Sequence, residues 1–410
     1  MDILHTMVLR GPNIWTYKPV LEAWVDLGVL EDFPSNKLAG FPERLEAWLP
    51  TLVEHRCTIG ERGGFLKRVH DGTWCGHILE HVTLELLSLC GRPSGFGRAR
   101  DHDRRGYYKV VVSCPEETLT RACLATAHAL IRAAIDDAPF DVDARLVELR
   151  AIAAGHEPAP GDLPFAKEAA ATLPIVFATG TRGRPEVARL VARLLQADGR
   201  CTGLASADGV TVDGRPVHDG PGTCWRAARE LLFQPGLQAV VCEVPPRTIV
   251  TEGIAFERCQ VGVVTDVGEM PELAGHFIDD AEARYKVVRC AVDIVLPQGA
   301  AVLNADDAQV ADMARLCDGD VIFFAGSPDH PLLAEHRAAG RRTVFVRGGD
   351  VVVATAHTEQ VAGPLSLFRR LADDHAPEPH ATLAGVAAAW ASGVPAERLG
   401  SILRSRYPEG

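Results

Sequence analysis

Apolar and polar positions alternate differently in the two parts of this chain. In the first part, Tyr108, Lys109, Val110, Val111 and Val112 form a short run that predicts a strand over 108–112. Pro115, Glu116 and Glu117 then open an Ala-rich helix to about Ala134. Proline is tolerated in a first turn, and carboxylates there face the positive end of the helix dipole. Upstream, Ile78, Val82, Leu86 and Leu89 recur at helical spacing, which predicts a helix to about Cys90, capped by Asp71 or Thr73.

In the second part, apolar runs at 175–178, 239–242, 261–264 and 301–303 read as buried strands. A helix is expected over 185–197, and Asp213-Gly214 marks a hairpin turn between Val210 and Arg215. Strands alternating with helices imply a parallel sheet. The Pro, Gly and Ala-rich run from Ala153 to Asp162 separates the two parts. The expectation is an α/β protein: a small α+β N-terminal domain over 1–152, a linker over 153–173, and a P-loop-like parallel α/β domain over 174–410.

With 410 residues, the chain is long enough for two or three domains. Its 47% apolar and 23% charged residues are ordinary for a soluble protein. No apolar run approaches a membrane span, and Met1 to His5 lead into the sequence without a signal-peptide pattern, so the expected location is cytoplasmic, away from membranes. A net charge of -12 argues against nucleic acid as a partner. The 11 cysteines occur singly and are odd in number, against a disulfide framework or zinc knuckle.

The run Thr179-Gly180-Thr181-Arg182-Gly183-Arg184-Pro185-Glu186 lies between a strand and a helix, the setting of a phosphate loop. Such a loop ends in Gly-Lys-Ser/Thr, whose lysine reaches the outer phosphates and whose hydroxyl holds magnesium. Here Arg184 stands at the lysine position, Pro185 at the hydroxyl position, and Glu186 follows. Arginine lacks the compact ammonium geometry. Proline removes both a donor and the hydroxyl. Glu186 competes with phosphate for the helix start. Gly180 and Gly183 therefore belong to a degenerate loop, and no ATP is expected.

His77-Ile78-Leu79-Glu80-His81 is an H-x-x-E-H motif on an expected helix. Residues i and i+4 share a face, so His77 and His81 can ligate one ion, zinc for instance, with Glu80 as the general base. A third ligand must come from elsewhere. Glu85 lies too far along the helix; Glu116 and Glu117 are better placed, and Glu117 is chosen over Cys114 and His55. The basic run Arg98, Arg100, Arg104 and Arg105 reads as a solvated loop, and Trp15 and Trp74 as core.

Leu9-Arg10-Gly11-Pro12-Asn13-Ile14-Trp15, Glu54-His55-Arg56-Cys57, Gly63-Gly64-Phe65, Gly72-Thr73-Trp74, His77–His81 and Gly95-Phe96-Gly97-Arg98 make the first 150 or so residues resemble the cyanophycin synthetases. That family joins aspartate and arginine into a polymer. From about Ile175 the chain resembles the family's Mur-ligase-like domain, through Asp213-Gly214-Arg215, Arg258–Thr265 and Val302–Asp307.

The departures matter as much as the matches. The family has an ATP-grasp domain where this chain has the linker, and its phosphate loop resembles Gly-Thr-Asn-Gly-Lys-Thr-Thr. Where it has Glu-Thr-Ala-Arg-Gly-Gly, this chain has Glu243 to Thr248, and where it has Asn before Asp-His-Leu-Gly, this chain has Asp266. The resemblance also implies that the C-terminal lobe is truncated, and leads Asn304, Asp306 and Asp307 to be read as a retained strand end. It implies a ligase-inactive homologue, expected to serve as a structural or regulatory subunit in a hetero-oligomer with a synthetase chain carrying the ATP-grasp domain. Some members carry a metallopeptidase-like N-terminal site that cuts the polymer into primers. His77, Glu80 and His81 match its motif, so a zinc-dependent endopeptidase acting on cyanophycin is the alternative.

Overall fold

The computed structural model describes residues 1–102, 104–155, 173–218, 220–372 and 378–407. Contacts divide the chain into two compact units, Met1–Arg10 with Lys18–Leu163, and Gly11–Tyr17 with Pro164–Gly410. Most of the expected linker, 156–172, lies outside the described residues, and Ala153 and Ala154 close a helix, Val142–Ala154.

The first unit is built on a four-stranded antiparallel sheet of β1 (Asp2–Leu9), β2 (Val20–Asp26), β3 (Gly97–Asp101) and β4 (Tyr107–Ser113), in the order β1-β2-β4-β3. The pleat sends Leu21, Ala23, Val25, Val110 and Val112 to one face, where they meet Ile78, Leu79, Val82 and Leu86 of the helix Cys75–Leu89 and Leu119, Cys123 and Leu130 of the helix Glu117–Ile135. Out of phase with that set, Lys109 pairs with Glu22 at 3.0 Å, and both are almost fully buried.

The helix Cys75–Leu89 starts without a side-chain cap. An earlier helix, Gly64–Asp71, ends at Gly72, whose φ is +117°. Thr73, expected as a cap, bonds through its Oγ1 to Nδ1 of His77 at 2.9 Å. At the other end Gly91 takes φ +78°, and the N–H groups of Gly91 and Arg92 close back onto Ser88 and Leu87.

The second unit carries an 11-stranded sheet. Its strands are β5 (Ile175–Thr179), β6 (Thr202–Ser206), β7 (Gly209–Val212), β8 (Arg215–His218), β9 (Ala239–Glu243), β10 (Cys259–Val264), β11 (Val295–Asn304), β12 (Asp320–Ala325), β13 (Arg342–Arg347), β14 (Asp350–Thr355) and β15 (Thr358–Pro364). The order is β15-β14-β13-β12-β11-β10-β5-β9-β6-β7-β8, parallel from β13 through β6, with antiparallel hairpins at both ends. The α/β class expected from the sequence is thus what the chain adopts. The β7–β8 turn places Asp213 and Gly214 at φ +47° and +75°, the left-handed pair that a two-residue hairpin requires.

Both faces of this sheet are covered. Ile175 and Phe177 of β5 point into a core shared with the helices Trp225–Leu232 and Ala281–Asp293, and Val176 and Ala178 into one shared with Arg184–Ala197 and Pro379–Ala391. The loops after β5, β10 and β11 converge beyond the carboxyl ends of the strands, where open α/β sheets hold their ligands. No helix among the described residues is long and apolar enough to cross a membrane.

Candidate functional site

In the first unit, His77, Glu80 and His81 line a cleft of about 890 Å³ with His55, Cys57, Arg68, Trp74 and Arg98. Helical spacing brings the two imidazoles to a centroid separation of 4.8 Å. Phe65 stacks on His81 at 4.0 Å and excludes water from that side. Burial, reinforced by His77, His55 and Arg68, pushes His81 down to about 2. Burial and Arg68 push His77 down to about 4. Both rings are therefore neutral at ordinary pH, the form that ligates a metal.

Glu80 is 7% exposed, and burial raises its carboxyl to about 7 even though Arg98 and Arg68 act in the opposite sense. Its side chain lies against Gly97 of β3, where a Cβ would meet Oε1 at 2.5 Å. Arg98 is solvent-exposed as expected, but it lies on that strand beside Gly97 rather than in a loop, and it lines the cleft. Trp74 is not a core residue. It is 40% exposed, lines the same cleft, and donates its indole N–H to the Glu31 carbonyl at 3.0 Å.

Among the described residues, one group of three candidate metal donors occurs, Cys57, His77 and His81, with ligand atoms within 4.8 Å of one another. Cys57 Sγ is 3.3 Å from Nε2 of His77. One thiol and two neutral imidazoles form a donor set suited to a zinc ion with an open position. Glu117, expected as the third ligand, is not in this group. Its carboxylate is held by Arg10 at 2.8 Å and Arg121 at 2.9 Å at the start of its own helix. Cys57 was missed because it sits in a 3-10 turn 20 residues before His77, beyond any local motif. The one hint was its place beside His55 in the Glu54–Cys57 run.

His55 also reaches the site. Its Nδ1 is 2.8 Å from Nδ1 of His81, and its Nε2 is 2.8 Å from the carboxylate of Glu85.

In the second unit, the loop after β5 turns through two glycines of positive φ. Gly180 has φ +134°, and a Cβ there would strike Thr265 Oγ1 at 2.0 Å; Gly183 has φ +74° where the helix Arg184–Ala197 begins. The N–H groups of Thr181 and Arg182 donate to Oδ1 of Asp266 at 2.8 and 3.1 Å, and the Thr181 hydroxyl donates to Oδ2. These donors and the Thr265 hydroxyl hold Asp266 below the usual carboxylate range although burial opposes them.

Arg184 turns back into the loop, donating to the carbonyls of Gly180 at 2.8 Å and Thr181 at 3.2 Å and pairing with Glu243 at 3.3 Å. Pro185 offers no N–H in the first turn. Glu186 pairs with Arg189 at 3.6 Å. Nearby, Asp306 accepts from the Gly326 N–H and lies 2.8 Å from Nε2 of His380, while Asp307 caps the helix Ala308–Asp312.

The geometry defines an α/β protein with an H-x-x-E-H cleft in one unit and, in the other, a glycine loop whose N–H groups are taken by Asp266. Its N-terminal unit is cyanophycin synthetase-like: residues 22–136 match the cyanophycin synthase-like N-terminal domain. The cyanophycin synthetase of Synechocystis sp. is 41% identical over 174 residues, which are 41% of this chain and 20% of that protein. The cyanophycin synthetase of Crocosphaera subtropica is 40% identical over 176 residues, 42% of this chain and 20% of that protein. The matched stretch spans about a fifth of the length of these relatives.

Among solved structures, a UDP-N-acetylmuramoyl-L-alanyl-D-glutamate–2,6-diaminopimelate ligase aligns over 57% of this chain and 46% of its own at 13% identity and a TM-score of 0.44. MurF from Acinetobacter baumannii aligns over 74% and 52% at 14% identity and a TM-score of 0.40.

Proposed function

We propose that the second unit carries out no ATP-driven ligation, and that the chain is a structural or regulatory subunit in a hetero-oligomer with a cyanophycin synthetase that carries an ATP-grasp domain. The observation that supports this is the Asp266 carboxylate on the loop N–H groups of Thr181 and Arg182. A nucleotide's phosphates need donors of that kind, and an internal anion already takes these two. Arg184 is spent on loop carbonyls and Glu243 rather than facing outward. A well-packed core around a filled loop fits a binding role.

The test is co-expression of the tagged chain with the synthetase of the same cell. Retention of the synthetase through purification, with a change in its polymerising activity, is expected. A synthetase that neither binds nor changes in activity contradicts the proposal.

A second reading, a zinc-dependent endopeptidase that cuts cyanophycin into primers, is favoured by the grouping of Cys57, His77 and His81 beside Glu80. A bound zinc ion would supply the Lewis acidity that polarises a scissile carbonyl. Glu80, raised to about 7, is matched to taking a proton from the attacking water and returning it to the leaving amine. Arg68 and Arg98 line the cleft and offer guanidinium donors to the carboxylates of an aspartate-rich chain.

Incubation with cyanophycin, with and without chelator and beside Glu80→Gln, tests this reading. Shortened chains that vanish with the chelator and with the variant are expected; intact polymer in every tube contradicts it.

A further inference from the structure

Glu85 lies one turn beyond His81 on the same helix, and His55 fills the gap between them. Glu85 accepts from the Thr51 hydroxyl and lies 2.8 Å from Nε2 of His55. Burial would raise its carboxyl, but the bonds from His55 and Thr51 hold it below the ordinary value. A carboxylate has acceptors only. Nε2 of His55 therefore carries a proton and donates it to Glu85.

The rest follows from the two-nitrogen chemistry of imidazole. Nδ1 of His81 faces Nδ1 of His55 at 2.8 Å, so Nε2 is the nitrogen of His81 left for an ion. A ligating neutral imidazole keeps its proton on the other nitrogen, where His55 can accept it. The lone pair of His81 is left on Nε2. On His77 the Thr73 hydroxyl lies 2.9 Å from Nδ1, and Nε2 faces Cys57 Sγ at 3.3 Å.

We infer that His55 and Glu85 are positioning residues that fix His81 as its Nδ1–H tautomer, so that both histidines present Nε2 lone pairs, with Cys57 Sγ, to one divalent cation. This inference rests on the metal-centre reading above. It adds an outer chain, Thr51–Glu85–His55, whose task is to hold a ligand in the right tautomer and orientation. Outer partners of this kind typically contribute about 10–100-fold in metal affinity.

The experiment uses the full chain and zinc as the probe, with affinity read by competition against a chromophoric chelator. Wild type is expected to bind one zinc ion. His55→Leu and Glu85→Leu should bind about 10–100-fold more weakly. His55→Asn, whose side-chain carbonyl can accept from Nδ1 of His81, should recover most of the loss; a purely structural role for His55 would not produce this ordering.

Proton–nitrogen correlation spectra of metal-free wild type read the tautomer directly, without any variant having to fold. A proton on Nδ1 of His81 supports the inference, and a proton on Nε2 overturns it. Zinc bound equally tightly by wild type and both leucine variants overturns the inference and leaves the metal reading standing. Wild type that binds no zinc overturns both.

Discussion

Asp266 and Thr181 are joined twice: the Thr181 N–H donates to Oδ1 at 2.8 Å, and its hydroxyl donates to Oδ2. The carboxylate thus sits as an internal anion on the loop's N–H groups, which has consequences for stability as well as for ligands.

The folded-state pKa of Asp266 is depressed, so its contribution is present above the unfolded value of about 3.9 and is lost as pH falls through the folded value. Asp266→Asn should lower the thermal midpoint at pH 7, since hydrogen bonds to a charged group are each worth about 1.5–3 kcal/mol. The gap between the two proteins should narrow below about pH 4. Melting curves from pH 7 to pH 3 check both points; a gap independent of pH contradicts the assignment.

Repairing the loop's sequence alone should not repair its chemistry. Arg184→Lys with Pro185→Ser restores the missing cation and hydroxyl but leaves Asp266 on the N–H groups. That double variant should show no stabilisation by inorganic phosphate, whereas adding Asp266→Ala should produce one. Thermal shift against phosphate concentration distinguishes them, and a phosphate effect in the double variant would show that the Asp266 contact is not the barrier.

Much of this was legible in the sequence. The H-x-x-E-H helix, the β5–loop–helix unit and the Asp213-Gly214 hairpin are local patterns, and each folds as its periodicity or turn chemistry dictates. The third member of the candidate donor group, Cys57, was not legible. Glu117 satisfied a charge and position argument, but that argument could not see Arg10, 107 residues away, taking the carboxylate. Cys57 and His55 reach the histidines only because the turns around 50–59 fold against the helix Cys75–Leu89. Thr73 was misjudged for a related reason: its hydroxyl meets His77 instead of capping the helix. Glu85, read as too far along the helix to share an ion, lies outside the donor group and meets His55. Asp266 was recognised as a departure, but its role as an internal anion needed the register that sets β10 beside β5.

Cys57→Ala and Glu117→Gln separate the two choices of third ligand. Cys57→Ala should weaken zinc binding by about 100-fold or more, given the strength of thiolate coordination at such sites. Glu117→Gln should leave zinc affinity unchanged, since it disturbs only the pairs with Arg10 and Arg121. Chelator competition reads both, and the reverse pattern would restore Glu117.

Gly97→Ala probes Glu80 without touching it. The added Cβ would lie 2.5 Å from Oε1, and the flexible end of Glu80 must give way. Cleavage of cyanophycin should fall with the histidines intact, at a stability cost of about 1–3 kcal/mol for overpacking. Full cleavage by a folded Gly97→Ala protein would show that Glu80 does not need its present position.

The most direct test of the central claim is calorimetric titration of the wild-type chain with ATP and magnesium. No saturable heat is expected, because Asp266 and Arg184 already occupy the loop from within. Stoichiometric, saturable ATP binding would contradict the account and return the second unit to the nucleotide-dependent enzymes.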